Sequence, residues 1–134
     1  MKQVFINLPV SDLERSFQFY TTLGFSNNPD FSDDQGKCMV WSDSIFVMIM
    51  TKEKFTSFTT RAIADIKSTI PALYSLSVDS TEIMNSLVDK GLMNGGIEPK
   101  PMSDYGFMQA RQIEDPDGHT WELFYMDMSK LTQS

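Results

Sequence analysis

"LPVSDLE", Leu8 to Glu14, returns 68 residues later as "LSVDSTE", Leu76 to Glu82, with leucine, valine and glutamate in the same places. Each copy opens as an alternating strand, Val4, Ile6, Leu8 and Val10 in the first and Ala72, Tyr74, Leu76 and Val78 in the second. Each then changes period. Ser11 with Glu14, and Asp79 with Glu82, have the spacing of a capping box, where a side-chain oxygen and a carboxylate satisfy the orphan amides of a helix start. Apolar residues follow at Leu13, Phe17 and Tyr20, and at Ile83, Leu87 and Val88, spaced to cover one helical face. Gly24 and Gly91 are expected to end the two helices.

Beyond each helix come a loop and a pair of strands. "KCMVW" and "SIFVMIM" flank the turn "SDS", and "FMQARQI" and "TWELFYM" flank "EDPDGH". The plan is therefore strand, helix, strands, twice over, an α+β chain of two tandem modules. We expect a single domain over 1–134, with module one at 1–55, a connector at 56–70 and module two at 71–128. The connector region is rich in Thr, Ser and Lys, with room for a short helix around Arg61 to Lys67. Neither half is large enough to fold alone, so the halves are expected to pack around a shared concave pocket.

The bulk numbers narrow the function classes. A chain of 134 residues with 41% hydrophobic and 22% charged residues has the composition of an ordinary globular protein. No apolar run approaches the ~20 residues that cross a bilayer, and the opening "MKQVFINLPVSD" lacks the segments of a signal peptide. A cytoplasmic location is expected. Cys38, the single cysteine, can form neither an internal disulfide nor a cysteine zinc cluster, and reads as a small hydrophobe within a strand. Eleven basic against eighteen acidic residues leave a net charge of −7, which repels phosphate backbones and anionic lipid. Nucleic acid and membrane are not expected as partners.

The stretches "DLERSFQFYTTLGF" in the first module and "DPDGHTWELF" at the end of the second resemble the vicinal oxygen chelate superfamily. That group includes glyoxalase I, the bleomycin- and fosfomycin-resistance proteins and extradiol dioxygenases. The likeness runs from Val4 to Asp127, and "DYGFMQARQIEDPDGHTWELFYMD" is similar to a bacterial subgroup whose members mostly lack an assigned reaction. It implies two βαβββ modules forming a curved mixed sheet around a cup, and usually a homodimer. In metal-binding relatives the first and last strands of each module carry the ligands. Here the first-strand slots hold Phe5 and Leu73, and the last strand of module one offers Phe46, Val47 and Met48. Only Glu122 remains in a ligand slot. One carboxylate cannot hold a divalent cation that needs several nitrogen or oxygen donors, so no cofactor and no metal are expected. His119 lies three residues from Glu122, on the opposite side of an extended strand.

Why, then, does the apolar strand "TWELFYM" keep Glu122? If Asp115 to Gly118 form the hairpin loop, Glu114 faces His119 and the ladder sets Arg111 opposite Glu122. Directly opposed residues have β-carbons about 5 Å apart, close enough for a charge-assisted bond. Such a pair is either an internal ion pair that sets register or the polar anchor of an apolar pocket. For the second case the inward faces would bring together Phe5, Asn7, Met48, Gln109, Arg111, Glu122 and Phe124, with an adaptable lining favoured by the ten methionines. In "EPKPMSDYGFM", Gly106 between Tyr105 and Phe107 marks a loop that either closes over a flat ligand or anchors to the sheet edge.

Three functions follow from these residues and that resemblance. The first is metal-independent binding of a small molecule, cationic or aromatic, after the manner of bleomycin-resistance proteins. The second is a metal-dependent lyase or isomerase of the glyoxalase kind, with the cation as Lewis acid. The third, acid-base catalysis by a buried Glu122, is disfavoured by an adjacent arginine, which would lower the carboxyl pKa.

Overall fold

A computed structural model describes residues 1–131. The chain divides into two compact units, Met1–Asp65 and the part from Ile66 onward. Each unit builds one four-stranded mixed sheet with a helix against it, the α+β duplication expected from the repeat.

In the first unit β1 (Val4–Val10) runs parallel to β4 (Ile45–Thr51), and β3 (Gly36–Ser42) and β2 (Ser26–Asn28) continue the sheet in the order β1-β4-β3-β2. α1 (Leu13–Leu23) packs on β3 and β4 and buries Ser16, Phe19, Tyr20 and Leu23. The second unit repeats the order as β5-β8-β7-β6, from β5 (Leu73–Ser77), β8 (Thr120–Met126), β7 (Met108–Glu114) and β6 (Ser103–Asp104). α3 (Thr81–Leu92) packs on β7 and β8 and buries Met84, Val88 and Gly91. Among the described residues there are also a 3-10 turn at Pro29–Phe31 and two short α-helices, α2 (Lys52–Thr56) and α4 (Met128–Leu131). Of the edge strands, β2 and β6 are only three and two residues long, too short to show in the hydropathy pattern. No helix among the described residues is long and apolar enough to cross a membrane.

Local chemistry places several boundaries beside the expected ones. Each helix start falls one residue later than the capping-box reading, because Asp12 and Ser80 are themselves good caps. Asp12 Oδ1 accepts from the Arg15 amide at 3.1 Å, and Ser80 Oγ from the Ile83 amide at 3.1 Å. Gly24 ends α1 as expected, left-handed at φ 119°, with its amide reaching the last turn. Gly91 does not end α3. The helix runs on to Leu92 with Gly91 buried inside it, and the reversal follows at Gly95, φ 95°. The short helix expected around Arg61 to Lys67 is absent from that stretch, and α2 forms earlier, capped by Thr51 Oγ1 on the Lys54 amide at 3.1 Å.

The hairpin between β7 and β8 settles which side chains share a face. The Asp115 amide donates to the His119 carbonyl at 2.8 Å and the Gly118 amide to the Asp115 carbonyl at 3.0 Å, with Gly118 at φ 108°. This is a three-residue loop, Pro116 to Gly118, ending in a left-handed glycine. Asp115 Oδ1 locks it by accepting from the amides of Asp117, Gly118 and His119 at 2.9, 2.8 and 2.9 Å. Three residues in the loop rather than four move the ladder by one place. Glu114 therefore faces Thr120, Arg111 faces Leu123, and Gln112 faces Glu122.

Candidate functional site

That register overturns the expected ion pair, because adjacent residues of a strand point to opposite faces. Arg111 lies on the α3 side and Glu122 on the side away from it. The Arg111 guanidinium forks onto Glu98, Nε to Oε2 at 2.9 Å and Nη2 to Oε1 at 3.0 Å, while Nη1 reaches Asn85 Oδ1 and Asp89 Oδ1, each at 3.0 Å. Its side chain is only 12% exposed. The bond to Glu98 and the one to Asp89 hold its pKa above the ordinary guanidinium value, against the opposing effect of burial. Arg111 is thus a clamp between sheet, helix and the 98 region, away from Glu122. Glu122 instead accepts a 3.3 Å bond from Ser75 Oγ, its neighbour on β5.

Gln109 shares the Arg111 face by the same period and is likewise separated from Glu122. Its Nε2 donates to Asp104 Oδ1 at 3.0 Å and to the Gly106 carbonyl at 3.2 Å, and its Oε1 accepts from Thr81 Oγ1 at 3.1 Å. Those bonds fix the β6–β7 connection, where the Tyr105 amide donates to the Met108 carbonyl at 2.8 Å. Tyr105 is exposed at the tip, and the Phe107 carbonyl accepts from the Asp127 amide at 2.7 Å. Gly106, at φ 84°, makes the turn. Phe124 stays on the Glu122 face.

In the first unit the expected residues do come together. Phe5, Asn7 and Met48 lie on the sheet face away from α1, in adjoining rows: Phe5 faces Phe46, and Asn7 faces Met48, which faces Cys38. The opposite face carries Leu8, Ile49 and Lys37 in one row, with the Lys37 ammonium 5.8 Å from the ring centroid of Phe17 in α1. The rings of Phe5 and Phe46 stack at 4.5 Å and 8°. Asn7 also lines a cavity of about 340 Å³ together with Phe55 of α2 and Phe58 just beyond it. Sequence reasoning missed Phe55 and Phe58 because they sit in a polar stretch without periodicity. Two aromatics three residues apart, "FTSF", were the available signal. Cys38 is buried, and burial pushes its thiol pKa up, away from nucleophilic use.

A second cavity, about 240 Å³, belongs to the second unit and is lined by residues 66–70 with Pro99, Gln112, Glu114, Gly118 and Thr120. Only glycine suits its floor. A β-carbon on Gly118 would stand 2.9 Å from the Ile66 carbonyl oxygen.

The donor set tests the metal reading directly. The repeat aligns the row Asn7–Met48–Cys38 with the row Ser75–Glu122–Gln112, so Met48 occupies in module one the position of Glu122 in module two. Phe5 and Leu73 correspond in the same way. Phenyl and alkyl groups donate no electron pair. Among the described residues no group of three or more His, Cys, Asp or Glu side chains could hold a metal ion. The residues present do not fit a divalent cation of the superfamily kind.

Comparison with known proteins agrees with this fold. A family model for the bleomycin resistance protein-like N-terminal region matches residues 2–40. The trivalent organoarsenical cleaving enzyme of Bacillus sp. (strain MD1) is 26% identical over 129 residues, which is 93% of this chain and 73% of that protein. Among solved structures, a hypothetical protein from S. aureus superposes with a TM-score of 0.79 at 24% identity, over 93% of this chain and 94% of that one. A glyoxalase-related enzyme from Fulvimarina pelagi gives 0.78 at 20% identity, over 93% and 88%. A glyoxalase/bleomycin resistance protein/dioxygenase family enzyme from Burkholderia phytofirmans PsJN gives 0.75 at 14%, over 94% and 99%. Residues 2–40 thus match the bleomycin resistance protein-like N-terminal model, and the two βαβββ modules share the fold of the glyoxalase/bleomycin resistance structures.

Proposed function

We propose that the protein binds a small molecule without the help of a metal ion, on the face of the first sheet turned away from α1. The observation that carries this reading is the gathering of Phe5, Asn7 and Met48 on that face, with Asn7 opening into the cavity formed with Phe55 and Phe58. Apolar walls with one fixed polar group are the ordinary make-up of a small-molecule site. The replacement of ligand-type residues by Phe5, Leu73 and Met48 supports the metal-independent half of the proposal. A homodimer and a reducing, cytoplasmic setting, which suits the one buried cysteine, belong to the same reading.

Thermal unfolding of the purified protein against a small-molecule library, with and without Ni²⁺ or Zn²⁺, tests it. At least one library compound is expected to raise the melting temperature, and the metals to leave it unchanged. A stoichiometric metal lost on Glu122→Gln would overturn the reading. Light scattering is expected to give twice the chain mass.

A second reading is favoured by the 26% identity to the organoarsenical cleaving enzyme. On that view the chain takes a trivalent organoarsenical as a substrate. Release of inorganic arsenic from such a compound by the purified protein would establish catalysis, and binding without release would leave the first reading in place.

A further inference from the structure

The small-molecule reading leaves the ligand open, and the walls of the first-unit cavity narrow it. Phe55 and Phe58 present rings, and Phe58 is 67% exposed, a large apolar surface next to an open recess. The stacked pair Phe5–Phe46 extends the aromatic surface along the same sheet face. A cavity of about 340 Å³ exceeds the ~150 Å³ void known to accept benzene, so two fused rings fit. Aromatic walls favour a flat partner that stacks offset or edge-on.

Asn7 supplies the polar recognition. Its side-chain Nδ2 donates to the Phe5 carbonyl at 3.3 Å, which orients the amide and leaves Oδ1 as the acceptor available to a ligand. Lys54 holds its Nζ 5.4 Å from the centroid of the Phe58 ring, and this positive charge beside a wall of the cavity disfavours a cationic ligand. We propose that this cavity takes an uncharged, flat, fused-ring aromatic molecule carrying a ring N–H, stacked on Phe58 and donating to Asn7 Oδ1. The proposal rests on the small-molecule reading and adds the chemical class.

Indole and benzothiophene separate the two claims, since they share a shape and differ in the N–H. In calorimetric titration of the full chain, indole is expected to bind about threefold more tightly, the worth of one modest hydrogen bond. Asn7→Leu is expected to abolish that preference, and Asn7→Asp, which keeps an acceptor oxygen, to retain it. Phe58→Ala is expected to weaken both ligands about fivefold through the lost stacking. Because Phe58 and Asn7 are exposed, these variants are expected to keep the wild-type melting temperature. Equal affinity for the two compounds in the wild type would overturn the N–H claim while sparing the aromatic site. Binding of neither would overturn the whole proposal. The wider small-molecule reading would still stand if a library compound of another class raised the melting temperature.

Discussion

Lys37 and Arg111 occupy the same place in the two modules and solve the same problem differently. Lys37 faces Ile49, which faces Leu8, and Arg111 faces Leu123, which faces Leu76, where Leu8 and Leu76 are the matched leucines of the repeat. Each cation reaches toward the corresponding helix position, Phe17 in one module and Asn85 in the other. In module one the partner is a ring face at 5.8 Å. In module two it is a set of oxygens, three side chains at 2.9 to 3.0 Å. The duplicated backbone keeps a cation at this slot, while the kind of cation and its partner together decide whether the contact is loose or clamped.

Substituting the two cations puts that contrast under the most strain. Arg111→Met leaves Glu98 and Asp89 facing a thioether, and we expect a loss of about 2–3 kcal/mol, below the full cost of a deeply buried pair because Asp89 is 65% exposed. Lys37→Met is expected to cost under ~1 kcal/mol. Urea unfolding of the two variants measures both, and equal losses would erase the distinction drawn between the modules.

Left-handed glycines give the next comparison. Gly118→Ala meets both a positive φ and the Ile66 carbonyl oxygen, whereas Gly106→Ala meets only the positive φ, with nothing within 4 Å of an added β-carbon. Expected losses are about 2 kcal/mol and about 1 kcal/mol respectively, read from the midpoint of thermal unfolding. A smaller loss at Gly118 would mean that the 66–70 stretch moves aside.

Ser16 sharpens the comparison from the other side. It aligns with Met84 under the repeat, and both are fully buried on their helices, but the Ser16 hydroxyl has no hydrogen-bond partner. Ser16→Ala is therefore expected to leave stability unchanged or raise it by up to ~1 kcal/mol. A clear loss would show that the hydroxyl is satisfied in solution.

The smallest expected effect concerns acid. In module one the amides of Gln35 and Gly36 hold Asp33 below the ordinary carboxylate range, and in module two Gln109 and then the Gly106 amide hold Asp104 there. A depressed folded-state pKa means that the contribution is present above the unfolded value and is lost as pH falls through the folded one. Relative to the intrinsic rate at each pH, amide exchange at Gly36 and Gly106 should quicken slightly below about pH 4 in both modules. Quickening at Gly106 alone would show the two edge turns to be held by different means.

Much of this was legible beforehand, and the reasons for the failures are specific. Period-two patterning found the long strands and put Phe5, Asn7 and Met48 on one face, because burial on one side of a sheet leaves a strong alternating signal. The partner of Arg111 was missed because ladder counting depends on turn length. "EDPDGH" permits a three- or a four-residue loop by composition, and only the glycine in the third loop position, suited to a left-handed closing residue, told them apart. Helix starts slipped by one because two adjacent residues could each cap. Phe55 and Phe58 were hidden by a short helix without a full amphipathic turn.

The Asp115 clamp has an evolutionary corollary. Because the span of one small turn sets which flank of β7 meets α3, a single-codon insertion there would exchange the whole set of side chains offered to solvent and to the helix. For this architecture, relatives that differ in the size of that turn should differ in surface chemistry far more than their percentage identity implies.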